Sequence, residues 1–184
     1  MTDRAEQLLS WYGAHRRTLP WRAPPGENAD PYAVLVSELM CQQTRVETVV
    51  PYFERWLQRW PSLSSLAAAD IDDVRAMWTG LGYYRRARNL LSAARQAVAC
   101  HGGLPADVKA LRDLPGVGPY TAGAVASLAF GIPAALVDGN VSRVLARWFA
   151  LESDVSTGAG RADVWRRAEV LMQAPRATAR SGSI

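Results

Sequence analysis

Residues 114–144 read LPGVGPYTAGAVASLAFGIPAALVDGNVSRV, and this stretch decides the fold. Leu-Pro-Gly-Val-Gly ends one helix and opens another. Gly116 and Gly118 are free to take backbone angles that other residues resist. Amides of the turn Gly116-Val117-Gly118, beside a helix N-terminus, point outward and attract an anion such as phosphate. A run of small residues follows, then a lone carboxylate, Asp138, twenty positions after Gly118 and just before a new helical run. By itself Gly-Val-Gly is equally the tight turn of an ordinary helical hairpin. By itself Asp-Gly-Asn is ordinary turn or N-cap chemistry. Together, an anion-holding turn and a carboxylate at fixed distance point to chemistry on a nucleic acid.

Working outward, every periodic segment reads as helix, so the fold class is all-α. Asp3-x-x-Glu6 resembles a capping box before Leu8, Leu9, Trp11 and Tyr12. Pro20, Pro24, Pro25 and Gly26 force a loop. Val34, Leu35, Leu39 and Met40 form the apolar face of the next helix. Val49, Val50, Phe53, Trp56, Leu57 and Trp60 repeat at helical spacing in the one after it. A short helix begins at Asp70 and Asp73 and stops at Gly80. Ala87 to Ala99 continues as an alanine- and leucine-rich helix closed by Gly102-Gly103. After the hairpin, helices are predicted over 140–151 and 161–172. The last eleven residues, APRATARSGSI, carry no apolar periodicity and have the look of a disordered tail.

With 184 residues, 49% of them hydrophobic, the chain can bury a sizeable core. Its formal charge is +4, and most of the basic excess is arginine, which suits forked phosphate contacts. No apolar run approaches a membrane span and no signal-like segment opens the chain, so a cytoplasmic protein without a membrane partner is expected. Cys41 and Cys100 have no metal-ligand spacing and read as two reduced thiols. His101, at a helix end, reads as a dipole partner rather than a catalyst.

A second block, Ser37-Glu38-Leu39-Met40-Cys41-Gln42-Gln43-Thr44 with RVETVVPY after it, and a third, Trp78-Thr79-Gly80-Leu81-Gly82-Tyr83-Tyr84, carry a resemblance when joined to Asp138-Gly139-Asn140-Val141. The hairpin and VDGNV segment resembles the helix-hairpin-helix-Gly/Pro-Asp superfamily of base-excision DNA glycosylases. The two upstream blocks are similar to its adenine DNA glycosylases, the MutY family, from about Trp11 to Leu151.

The resemblance implies a helical barrel over about 24–137. It also implies a second helical subdomain, drawn from both termini within 1–173 and incomplete, with 174–184 as a tail. It implies removal of adenine mispaired with guanine or 8-oxoguanine in double-stranded DNA, leaving an abasic site. Glu38 reads from its own neighbours either as a solvated helix residue or as a carboxyl raised toward neutrality by apolar surroundings; the resemblance makes it the proton donor to adenine. Asp138 becomes the stabiliser of the sugar-like cation, with Asn140 in support.

At Tyr120 the relatives that resemble endonuclease III carry a lysine that forms a Schiff base, so the tyrosine implies a glycosylase that does not cut the strand. Gln43 and Tyr83 match residues that press into the duplex, and Thr44 beside them is expected to bind DNA; Gly116, Val117 and Gly118 match the phosphate-holding turn. Arg17, Trp21 and Arg22 match the approach to the adenine pocket. The family's four-cysteine set for an iron-sulfur cluster is absent, so no cofactor and no metal is expected. Two alternatives stay open: a catalytically silent DNA-binding remnant, and a thymine or uracil mismatch glycosylase of the same superfamily.

Overall fold

A computed structural model describes residues 2–173. The expected tail, 174–184, lies outside the described residues, and so does the Asp3 side chain of the expected capping box. Among the described residues all regular structure is helical, as the periodicity predicts. The order is α1 (Thr2–His15), α2 (Pro31–Cys41), α3 (Val46–Arg59), α4 (Leu63–Ala67), α5 (Ile71–Trp78), α6 (Arg85–His101), α7 (Val108–Arg112), α8 (Pro119–Ala129), α9 (Gly139–Trp148) and α10 (Gly158–Gln173).

Local chemistry explains the boundaries. Asp30 accepts the Ala33 amide at 2.7 Å and starts α2, with Pro31 at the first helical position. Asp70 and Asp107 cap α5 and α7 in the same way. Gly102, at φ 70, ends α6 in the left-handed conformation. Helix α4 escapes the sequence reading because it spans five residues; Ser62 and Ser65 hold it by a reciprocal capping box. Helix α9 stops at Trp148, short of the predicted Leu151, because Ala150 turns left-handed at φ 47 with no glycine to announce it. Helix α10 begins at Gly158, earlier than predicted. There the Thr157 hydroxyl accepts the Gly160 amide at 3.1 Å and offsets two unfavourable glycines.

The larger buried cluster is laid around α2, whose residues from Tyr32 to Met40 are buried apart from Glu38. Trp56 packs edge-on against Trp60 and Trp78, with ring centroids 4.7 and 5.5 Å away. The indole of Trp56 donates to the Tyr32 hydroxyl, which donates to the Trp60 carbonyl, both at 3.0 Å. The Trp78 indole donates to the Gly82 carbonyl, also at 3.0 Å. A smaller cluster, Leu145, Val164 and Ala168, joins α9 to α10. Helix α1 presents Leu8, Leu9, Trp11 and Tyr12 on its exposed surface, Trp11 at 58%.

Two details hold the segments that frame the site. Arg86, 6% exposed at the start of α6, reaches two loops at once. Its Nη1 donates to the carbonyls of Leu39 (3.1 Å), Met40 (2.8 Å) and Gln42. Its Nη2 donates to the carbonyls of Leu81 (2.9 Å) and Gly82 (3.2 Å) and to Thr44 Oγ1 (3.1 Å). It thereby satisfies the last carbonyls of α2, which a helix cannot satisfy itself. The second detail is Gly123 in α8: a Cβ there would stand 2.5 Å from the Ala135 carbonyl oxygen. The extended segment leading to Asp138 lies directly on this glycine.

Replacing Arg86 with Met strands those carbonyls in a desolvated place. We expect a loss of about 3 kcal/mol, read as a lower urea midpoint. Gly123→Ala forces backbone apart rather than a flexible side chain, and about 1–3 kcal/mol should be lost in the same titration. An unchanged midpoint in either variant contradicts the packing described.

Candidate active site

Three helix ends converge on one carboxylate pair. Glu38 lies one turn before the end of α2, Tyr120 in the first turn of α8, and Asp138 at the N-cap of α9. Burial, reinforced by the facing Asp138 carboxylate and opposed by Arg22, pushes the Glu38 carboxyl up to about 7. Tyr120 is pushed up to about 12 by burial and by the same two carboxylates, so its hydroxyl keeps its proton. Cys41 is raised to about 11, chiefly by burial and then by Glu38, and stays a thiol.

Asp138 is held firmly. One oxygen accepts the Val141 amide at 2.7 Å and caps α9; the other accepts the Asn140 side-chain amide at 3.0 Å. Asn140 in turn accepts from Arg143. The cap reading and the site reading of Asp138 are therefore compatible, since one geometry serves both.

Of the two hairpin glycines, Gly116 uses its backbone freedom, whereas Gly118, at φ −83, is extended backbone that any residue adopts. Gly116 sits at φ 77, and a Cβ on it would stand 2.7 Å from the Asn89 Cβ of α6. Val117 is buried, pins the turn to the core, and donates its amide to Leu114 at 3.1 Å. Gly118 is the N-cap of α8, so the first amides of that helix face outward without intrahelical acceptors.

Gln43 and Tyr83 lie close to each other, on one cleft. Both are left-handed without being glycine, at φ 56 and 49, an uncommon and strained conformation. With Gln42, Tyr84, Arg85 and Arg86 they line this cleft of about 550 Å³, and Tyr83 is 63% exposed. Thr44, beside them, accepts from Arg86.

Of the remaining expected residues, Arg22 faces Glu38 and donates to the Arg17 carbonyl at 3.1 Å. Arg17 makes an exposed ion pair with Glu47 at 3.6 Å, a contact of small energetic weight. Trp21 turns its ring to Phe53, centroids 5.0 Å apart, and anchors the loop to the core.

The two cysteines do not fit an iron-sulfur cluster. Cys41 belongs to the Glu38 surroundings and Cys100 is exposed near the far end of α6. No group of three or more potential ligands gathers among the described residues. None of the described helices is long and apolar enough to cross a membrane.

Sequence reasoning missed Arg86, although a signal was present. Its helical phase places it with Leu90, Ala93 and Ala97, four, seven and eleven residues on, all buried. Among the neighbouring arginines Arg85 and Arg88, that phase alone singles it out.

Comparison with known proteins agrees with this geometry. A human relative named adenine DNA glycosylase is 46% identical over 175 residues, covering 92% of this chain and 32% of the relative. One from Arabidopsis thaliana with the same name is 40% identical over 191 residues, covering 92% and 30%. The chain thus spans about a third of the length of these curated relatives. A solved thermostable thymine-DNA glycosylase superposes with a TM-score of 0.79 at 30% identity, covering 92% of this chain and 77% of that one. The profile described as HhH-GPD superfamily base excision DNA repair protein matches residues 36–169, from the helix that carries Glu38 through to α10. On that match, which takes in the hairpin and both carboxylates, the chain belongs to the HhH-GPD superfamily of base excision DNA repair proteins.

Proposed function

We propose that this chain is the catalytic part of an adenine DNA glycosylase. It acts on adenine mispaired with guanine or 8-oxoguanine in duplex DNA and hydrolyses the N-glycosidic bond. The observation that carries this reading is Glu38: a carboxyl raised to about 7 that faces the hydrogen-bonded Asp138 carboxylate.

The target adenine is drawn out of the stack, because its glycosidic bond is out of reach inside the duplex. Glu38, protonated near neutral pH, donates its proton to an adenine ring nitrogen. The C1′–N9 bond breaks and the electron pair leaves with the base. Positive charge grows on the sugar, and Asp138, fixed in advance by the Val141 and Asn140 amides, stabilises it without reorganising. Water then adds to C1′ and loses a proton to the Glu38 carboxylate, which restores the acid. Adenine and an abasic site result.

Tyr120 offers no amine for a Schiff base, so the strand stays uncut. The Gly116-Val117-Gly118 turn holds a backbone phosphate. Gln43 and Tyr83 fill the space left in the duplex, Thr44 lies beside them, and Arg17, Trp21 and Arg22 border the approach to the base. A thymine mismatch is the second reading, favoured by the likeness to the thermostable thymine-DNA glycosylase.

The test is single-turnover cleavage of duplexes bearing A·8-oxoguanine, A·G or T·G, with alkali used afterwards to reveal abasic sites. Cleavage at adenine is expected, and Glu38→Gln should slow it at least about 100-fold. Cleavage at thymine alone moves the chain to the second reading. Duplex binding without any cleavage makes it a silent DNA-binding remnant.

The pH dependence has a definite sign. The proton donor is lost as pH rises through about 7, so the cleavage rate should fall above that value. Stability should fall in the same direction. The folded chain holds the Glu38 proton to about 7 while the unfolded chain releases it near 4.5, so rising pH from 4.5 to 7 costs about 3 kcal/mol. Glu38→Gln removes that slope. Urea unfolding at pH 5 and pH 8 checks it, and parallel wild-type and variant slopes would contradict the burial of Glu38.

A further inference from the structure

We propose that Arg86 is a positioning residue that makes Gln43 and Tyr83 a single preformed wedge. The inference rests on the reading above that these two side chains enter the duplex. Gln43 and Tyr83 lie forty positions apart in sequence and on different loops, yet each occupies the left-handed region without being glycine. Such strain persists only where the surroundings over-determine it.

The surroundings here are one guanidinium. Arg86 binds the residues on both sides of Gln43, through the Gln42 carbonyl and Thr44 Oγ1. It binds the residue immediately before Tyr83 through the Gly82 carbonyl. Its Cζ also lies 5.4 Å from the Tyr83 ring centroid and 5.5 Å from that of Trp78, and Trp78 donates to the same Gly82 carbonyl at 3.0 Å.

The planar fork is what allows this. One terminal nitrogen bonds Leu39, Met40 and Gln42 on the Gln43 side, and the other bridges the two loops, bonding Thr44 on one and Leu81 and Gly82 on the other. A lysine ammonium is a single point and cannot span both sets. Arg86 touches neither reacting atom nor base; it fixes the spacing and pitch of the two residues that do the pushing. The ordering of both loops is then complete before DNA arrives, and encounter with the duplex carries no further ordering cost.

The test uses the full chain and a duplex with 2-aminopurine beside the mispaired adenine, whose fluorescence rises when the stack opens. Three quantities are followed: duplex affinity by anisotropy, the fluorescence rise at saturation, and the single-turnover cleavage rate. Arg86→Lys is expected to bind the duplex nearly as wild type. It should lose most of the fluorescence rise and at least about tenfold in rate, as a misplacement of the order of an ångström does. Added to Tyr83→Gly, it should cost little more than Tyr83→Gly alone, because residues that act as one unit are not additive. Leu66→Ala, destabilised in the core of α4, controls for lost stability and should keep both signals.

The inference is overturned if Arg86→Lys opens the stack as wild type does, if Leu66→Ala loses as much, or if wild-type binding gives no rise at all. If Arg86→Lys does not fold, Thr44→Val removes one of its acceptors and must lower the fluorescence rise for the proposal to stand. Wild-type protein that opens the stack without cleaving sinks the glycosylase reading alone, and the wedge is then judged on fluorescence.

Discussion

The buried guanidinium of Arg86 is the contact on which the rest of this architecture depends. Helix α2 ends without a glycine cap, and its final carbonyls face the protein rather than water. A positive charge at that end satisfies them and opposes the negative pole of the helix. Because α2 is packed on nearly every side, its end cannot fray to find other partners. The guanidinium therefore settles where α2 stops, and with it the position of Glu38 one turn earlier. The same cation closes the Leu81-Gly82 turn, so the loop ahead of α6 is shaped by the residue that begins the helix. Burial lowers the affinity of Arg86 for its proton, yet the charge is retained, since arginine starts far above any working pH.

The site itself is made from helix ends, which is where a helical fold keeps its unpaired polar groups. Glu38 comes from a C-terminal turn and Tyr120 and Asp138 from N-terminal ones. Asp138 shows the economy of this arrangement. A cap residue has its rotamer dictated by an amide it must accept, so its second oxygen is aimed without extra scaffolding. Asn140, two residues on, is placed by the same cap. Glu38 is the opposite case, a polar group with its charged form opposed by burial. The fold tolerates it at a cost that grows with pH, which is an unfavourable arrangement for stability and a favourable one for proton donation.

Much of this was legible in the sequence because the informative residues are punctuators. Gly118, Gly102 and Asp70 act locally, and their neighbours in sequence are their neighbours in space. The apolar faces of α3 and α6 were equally open to reading. What escaped was long-range or short. Helix α4 is too brief for a period. The left-handed turns at Gln43, Tyr83 and Ala150 carry no glycine to announce them. The packing of the Trp21 ring on Phe53, thirty-two positions away, is likewise long-range. Arg86 reads as one arginine among several, because its six acceptors lie on other segments up to 47 positions away.

Helix α6 touches two distant parts of the surface with side chains less than one turn apart. Arg86 at its start governs the Gln43 and Tyr83 loops, and Asn89 lies beneath Gly116 in the hairpin turn. A continuous helix is stiff over so short a span, so these two regions form one template with no hinge between them. For a duplex gripped at the turn and parted at the wedge, as proposed, the distance between those two actions is set by protein and not by DNA. The bending is then borne by the nucleic acid. Its energetic cost depends on how readily the base steps around the mismatch yield, so sequences never touched by a side chain can still influence recognition.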